Sequence, residues 1–351
     1  MGIKDLRTFL KNKNVNCFYK MPLTDFYGRR MAIDTLNWIF CYMGSAVKFI
    51  INKNKDIMKF ISQDELFDRV IVEFINFNVK LMEHGITPVW IWDGVSKDNK
   101  QVTKVERRNA RKLMIEKKEN IMEKLMEMNP LERPPELLKE LTSLVVNTTS
   151  LKRDRLEEIK DFSIEIGIPT IVADDEAEAL AASLGVERIV AAAWSADTDT
   201  YAIGCPIVVK GFENIKGEIY INAVFTLKIL KELEFNHDEF RDFCIMLGTD
   251  FNDRIYGLGP VNSYKLIKKF RNLETVEKET KHNLYMLKFR EIRDQFVAFD
   301  TPYNGVDDLM INRDIEFEKI KEKYCDKYSL DRIFNCIKSV ETPKNVPLTM
   351  V

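Results

Sequence analysis

The stretch YGRRMAID, residues 27–34, sets three apolar residues between a basic pair and a single carboxylate, and a helical periodicity from Thr35 to Ile50 follows at once. A short apolar run that ends on a charge and turns directly into a helix is the pattern of a buried strand feeding a βα unit. The same arrangement returns in TPVWIWDG, residues 87–94, where VWIW ends on Asp93. Working outward, apolar runs at Arg30–Ile33, Thr87–Trp92, Thr170–Val172, Arg188–Ala192 and Pro206–Val209 predict strands. Helices are expected at Ile3–Lys11, Thr35–Ile50, Gln63–Glu83, Glu176–Leu184, Thr226–Leu233 and His237–Leu247. Strands alternating with helices predict an α/β fold with a mainly parallel central sheet flanked by helices.

In open parallel sheets, ligands bind beyond the carboxyl ends of the strands. Seven acidic residues close or follow apolar runs: Asp34, Asp93, Glu176, Glu178, Asp197, Asp199 and Asp250. Gathered at one sheet edge they carry more negative charge than a site tolerates without cations. All-oxygen donors suit Mg²⁺, and paired Mg²⁺ ions suit hydrolysis of phosphate esters. Asp197 and Asp199 share one face if that segment is extended. Glu176 and Glu178 lie roughly 200° apart in a helix and converge only if Glu176 sits at the opening turn. Taken alone, these two glutamates are better explained by the helix N-terminus.

Composition narrows the alternatives. A formal net charge of −2 leaves any nucleic-acid contact to local patches. Six scattered cysteines without a CxxC pair are neither a disulfide framework nor a zinc finger. Three distant histidines do not build a metal centre, no apolar run reaches the length of a membrane span, and MGIKDLRTFL is amphipathic rather than secretory. Leu6 and Arg7 stand where a myristoylation motif wants a hydroxyl residue.

Between residues 97 and 155 the strand signals vanish, so this segment reads as helices inserted into the α/β domain. Its first part, residues 97–119, holds nine basic residues against four acidic ones, with Lys104, Arg107, Arg108 and Arg111 on one helical face. A solvated face is the ordinary explanation, but this one follows directly on Asp93. Farther on, Gly257-Leu258-Gly259-Pro260 opens a helix, where backbone N–H groups approach phosphates closely. Lys265, Lys268 and Lys269 follow at helical spacing.

These motifs resemble the structure-specific 5′ nucleases, and most closely the flap endonucleases. MGIKDLRTFL resembles the family's start, YGRRMAID and VWIWDG its first two metal-ligand strands, and GIPTIVADDEAEA its glutamate-bearing segment. AAAWSADTDTYAIG is similar to its paired-aspartate segment, and DFCIMLGTDFNDRIYGLGPVNSYKLI to its last aspartate with the helix–two-turn–helix. Six motifs in family order cover about residues 1–270, with weaker similarity to about 335.

The resemblance implies a PIN-like nuclease fold divided into a nuclease region at 1–96 and 156–250, a helical arch at 97–155, a helix–two-turn–helix with C-terminal helices at 251–335, and a tail at 336–351. It implies that the seven carboxylates bind two Mg²⁺ ions, with Mn²⁺ as a substitute, and that a K⁺ sits at the Gly257–Gly259 turn. Lys100 stands at the position of the family's catalytic lysine, while Lys104, Arg107 and Arg108 compete for that of its arginine. Gly2 is expected beside the site once Met1 is removed, Arg111 on the basic arch, and Phe40 stacked on the base flanking the cut. Trp38 shares the spacing but suits the core as well.

The implied partner is branched double-stranded DNA with a 5′ single-stranded flap, bound by a monomer through phosphates rather than bases. The implied chemistry is Mg²⁺-dependent endonuclease and 5′→3′ exonuclease cleavage in replication, repair or recombination. A Holliday-junction resolvase, a gap exonuclease, an RNA-directed nuclease or a non-catalytic junction-binding protein are the competing readings. The end, SVETPKNVPLTMV, lacks the family's sliding-clamp motif. With the abundance of Asn, Lys and Ile, that suggests a viral or parasite homologue, working in the nucleus or, if viral, in the host nucleus or cytoplasm.

Overall fold

A computed structural model describes residues 2–94, 101–298, 303–324 and 327–343. Seven strands form one sheet: β1 (Phe18–Pro22), β2 (Arg30–Asp34), β3 (Thr87–Trp92), β4 (Thr170–Val172), β5 (Ala192–Trp194), β6 (Ile207–Ile215) and β7 (Glu218–Phe225). Their order is β1-β7-β6-β5-β2-β3-β4. The five strands from β6 to β4 run parallel, while β7 is antiparallel to both β6 and β1. Every residue of β2 and β3 is buried, as expected of parallel strands covered on both faces.

Three strand expectations need correcting. The run at 188–192 is not a strand: Arg188 takes a left-handed φ of 62°, and the Ile189 and Val190 N–H groups both donate to the Leu184 carbonyl. These residues close a helix, so β5 starts only at Ala192. β6 is longer than expected and turns into β7 through Lys216 and Gly217, both at positive φ. Such a two-residue loop suits the twist of a hairpin. Neither β7 nor β1 was anticipated; β1 pairs along the outer side of β7.

Helices α1 (Leu6–Asn12), α2 (Thr35–Asn54) and α3 (Gln63–Glu83) precede or separate the first strands. α4 (Gln101–Met126), α5 (Pro135–Thr148) and α6 (Arg153–Glu165) lie between β3 and β4. α7 (Ala177–Val186) and α8 (Asp199–Ile203) flank β5, and α9 (Thr226–Leu233), α10 (His237–Leu247), α11 (Pro260–Phe270), α12 (Leu273–Glu279), α13 (Phe289–Ile292), α14 (Phe317–Tyr324) and α15 (Asp331–Ser339) follow the sheet.

Strand alternation divides the core in two. Ala32, Val89, Ile91 and Ala193 face a cluster with α1, α7, α10 and α11, whereas Met31, Ile33, Trp90 and Trp194 face one with α2, α3, α6 and α15. On the second face Trp38 of α2 meets Trp90 edge-on at 4.9 Å, and the Trp90 Nε1–H donates to Asn78 Oδ1 at 2.9 Å. Trp38 is therefore a core residue. α4 and α5 share a small cluster of their own built on Ile121, Leu125, Leu141 and Leu144.

Behind α10, the buried Asp242 carboxylate receives two Arg293 N–H bonds at 2.7 Å, and Arg293 also pairs Glu274 of α12. Burial holds the Asp242 carboxyl above its ordinary range, with Arg293 opposing that shift. Arg293→Met removes its charge partner and is expected to cost about 3 kcal/mol in urea unfolding near neutral pH. Asp242 then binds a proton more tightly folded than unfolded, so stability declines with rising pH and the deficit narrows toward about pH 5.

Candidate active site

Parallel polarity puts the carboxyl ends of β5, β2, β3 and β4 side by side, with Trp194 opposite Ile33, Asp34 opposite Ile91 and Trp92 opposite Val172. Asp34 ends β2, Asp93 follows β3, Glu176 lies four residues past β4, and Asp197 and Asp199 lie beyond β5. Five of the seven expected carboxylates therefore arise from one edge of the sheet. At about 4.8 Å per strand the edge spans roughly 14 Å, so the outer side chains must lean inward to share ligands.

Asp34 is at the centre and buried. Its Oδ1 accepts the Asn37 N–H at 3.1 Å, capping α2, and its Oδ2 accepts the Ser195 hydroxyl at 3.2 Å. Burial, with the charges of Asp93 and Asp197 adding to it, pushes its carboxyl up to about 7. Asp93 Oδ1 accepts the Ala177 N–H at 2.8 Å, so Asp93 caps α7 from another strand. Glu176 occupies the N-cap position in extended conformation without making a cap bond. The helix-start explanation for Glu176 thus falls to Asp93. Glu178 stands in the first turn of α7.

The Asp197–Asp199 segment is a turn, not an extended stretch. The Asp199 N–H donates to Asp197 Oδ1 at 3.1 Å, and the Thr200 hydroxyl to the Asp197 carbonyl at 2.7 Å, closing a turn into α8. The two carboxylates nevertheless converge, because a Cβ placed on Gly2 would lie 2.0 Å from Asp197 Oδ1 and 2.5 Å from Asp199 Oδ1. The chain start is seated there by the Ile3 N–H, which donates to the Thr198 hydroxyl at 2.8 Å. The Lys4 N–H donates to the Gly248 carbonyl, Lys4 pairs with Asp253 and Arg254 with Asp5, strapping the Asp250 loop to the same segment.

Among the described residues no three His, Cys, Asp or Glu side chains stand as a ready ion cage. The donor set itself fits hard divalent cations: it is all oxygen, and it holds buried like charges that a cation would relieve.

The basic candidates are distributed unevenly. Lys100 lies outside the described residues, as do the side chains of Lys104 and Arg107, whose backbone is in α4. Arg108 is exposed. Arg111 is engaged within the insertion, donating to the Thr148 carbonyl at 2.8 Å and to the Ser150 hydroxyl. Phe40 is 65% exposed on α2. Gly257 adopts a φ of 80°, and a Cβ at Gly257 or Gly259 would meet nothing within 4 Å, so this turn faces open space. Lys265 and Lys269 are exposed, whereas Lys268 turns back to pair with Glu234.

Sequence reasoning missed Asn37, Ser195 and Lys210. Asn37 Oδ1 accepts the Ala196 N–H at 2.9 Å, and Lys210 Nζ donates to the Ala196 carbonyl at 2.7 Å. Burial pushes the Lys210 ammonium down to about 8. Its signal was legible, since Lys210 ends the apolar run PIVV just as the aspartates end theirs.

The chain matches the XPG N-terminal domain over residues 1–114 and the XPG I-region over residues 167–250. It is 30% identical over 279 residues to flap endonuclease 1 of Tetrahymena thermophila, covering 79% of this chain and 68% of that protein. Flap endonuclease 1-1 of Paramecium tetraurelia is 29% identical over 276 residues, 79% of this chain and 67% of that one. Among solved structures, flap endonuclease-1 from Methanococcus jannaschii has a TM-score of 0.60 at 20% identity, covering 92% of this chain and 95% of that chain. The catalytic core of Rad2 in complex with DNA substrate has a TM-score of 0.59 at 18% identity, covering 97% and 100%. These two likenesses establish the fold, a PIN-like nuclease fold.

Gly94 is where the Asp93 turn closes on the Glu176 segment: its N–H donates to the Asp175 carbonyl at 2.8 Å, and an added Cβ would lie 2.0 Å from the Ala173 carbonyl oxygen. Gly94→Val is expected to force the two segments apart and destabilise the protein by about 2 kcal/mol, read by urea unfolding.

Proposed function

We propose a function on one premise: the chain belongs to the flap endonuclease family of structure-specific 5′ nucleases. We infer a Mg²⁺-dependent phosphodiesterase that cuts branched double-stranded DNA bearing a 5′ single-stranded flap. The observation that carries this reading is the carboxylate edge, where Asp34, Asp93, Glu176, Asp197 and Asp199 leave four adjacent parallel strands together. Histidine and cysteine, which suit other metals, play no part in it.

In this reading the seven carboxylates, with Glu178 and Asp250 completing the set, hold Mg²⁺, for which Mn²⁺ substitutes. When bound, such ions polarise phosphate oxygens and lower the pKa of a bound water. The chain's own residues do the rest. Asp34 and Asp93 keep one oxygen each on a backbone N–H, which fixes their direction before any ligand arrives. The open Gly257–Gly259 turn offers backbone N–H groups to a duplex phosphate, aided by a K⁺, while Lys265 and Lys269 add charge along the same strand. Lys268 contributes only by leaving Glu234. Phe40 stacks on the base beside the cut. Lys100 with Arg108, or with Lys104 or Arg107 in its place, steadies charge on the phosphate, and Arg111 supports them by tying α4 to the end of α5. Such a protein works as a monomer wherever DNA is replicated or repaired.

The test is cleavage of 5′-flap, gapped and four-way-junction DNA and of RNA, in Mg²⁺ and in EDTA. Preferred, Mg²⁺-dependent cutting of the flap is expected; binding without cutting in Mg²⁺ would remove the enzymatic claim. Asp199→Asn should slow single-turnover cleavage by about 100-fold or more while flap affinity in Ca²⁺ holds. Phe40→Ala should weaken flap processing about tenfold through lost stacking, with thermal stability unchanged because the ring is exposed.

A further inference from the structure

Lys210 follows Val209, which pairs with Trp194 at the end of β5, and it sits at an irregularity in the β6–β7 register between Val209 and Phe212. Such a break re-aims a side chain out of the regular pleat. Here the lysine is aimed across the end of β5: Nζ reaches the Ala196 carbonyl at 2.7 Å and lies 5.2 Å from the centre of the Tyr201 ring. From the other side, Asn37 Oδ1 takes the Ala196 N–H at 2.9 Å. Ala196 is thus gripped at both its donor and its acceptor by two side chains from different strand–helix units. Its neighbours are Ser195, whose hydroxyl donates to Asp34 and accepts the Asp197 N–H, and Asp197 itself. A half-buried ammonium is costly to place, and its position beside this one carbonyl asks for a reason.

We propose that Lys210 is a positioning residue of the carboxylate edge: by clamping Ala196 against Asn37 it fixes the turn that carries Asp197 and Asp199, and so sets how tightly the edge takes up divalent ions. The proposal rests on the metal-binding reading above. In this role Lys210 acts on the carboxylates through the Ala196 backbone that it holds. The competing role, a mere counter-charge, predicts the opposite sign. Removing a nearby positive charge makes an anionic site more attractive to cations, whereas loosening the turn makes it less so.

Mn²⁺ uptake by the protein without DNA, followed by loss of the free-ion EPR signal, separates the two. Lys210→Met should bind Mn²⁺ about tenfold more weakly despite its lost positive charge. Asn37→Ser, which loosens the same residue without changing charge, should shift it the same way, and Lys210→Arg should stay near wild type. Lys216→Met, an equal charge change in the exposed β6–β7 turn, is the control and should not shift. Flap affinity in Ca²⁺-free buffer should be unaltered in every variant. If Lys210→Met does not fold, judged by its melting transition, Asn37→Ser alone decides. Uptake by either folded variant as tight as wild type, or tighter, overturns the proposal. A wild-type protein that takes up no Mn²⁺ overturns the metal-binding reading and this proposal together.

Discussion

Strand polarity is the constraint on which the rest depends. Five parallel strands point their carboxyl ends the same way, and four of them end in or run on to acidic residues, so like charges meet at one edge. Each residue's own surroundings then limit the repulsion. Asp34 is held by Asn37 and Ser195, Asp93 by the Ala177 N–H, and Asp197 by the Asp199 N–H. These bonds orient the carboxylates and supply partial positive charge from backbone donors, and the start of α7 adds its dipole. Lys210, half-buried at the same edge, holds the carbonyl of Ala196, the residue between Ser195 and Asp197.

The edge is completed by segments that are remote in the chain. Gly2 lies against Asp197 and Asp199, and the residues after it strap the loop of Asp250 through one backbone bond and two ion pairs. Exposed ion pairs contribute little stability, so the strap is better understood as setting position than as holding the fold together. That role explains why a residue without a side chain stands at position 2, since any Cβ there would occupy the space of two carboxylate oxygens. On the opposite face, the aromatic packing of Trp38, Phe77, Trp90 and Trp194 gives α2 and α3 a rigid seat under the same strands.

The apolar runs at residues 30–34 and 87–92 were legible because parallel strands buried on both faces admit little but apolar residues between their ends. The run at 188–192 misled because Val190 is buried and Ile189 partly buried as a helix cap, and burial alone does not distinguish a cap from a strand. The hairpin of β6 and β7 hid for the opposite reason: its outer half mixes polar with apolar residues.

By itself, the sequence determined the strand–helix alternation, the acidic residues at the strand ends and the motif order that identifies the family, because these follow from local periodicity and residue type. Only the tertiary structure decided which group does what at the edge. Spacing within one segment pointed to Glu176 as a helix-start residue, yet the cap comes from Asp93, more than eighty positions away. Nor could spacing show that Asn37 and Lys210 grip one alanine between them. Hydrogen bonds across strands depend on register and on how a bulge aims a side chain, and neither is written in any single stretch of the chain.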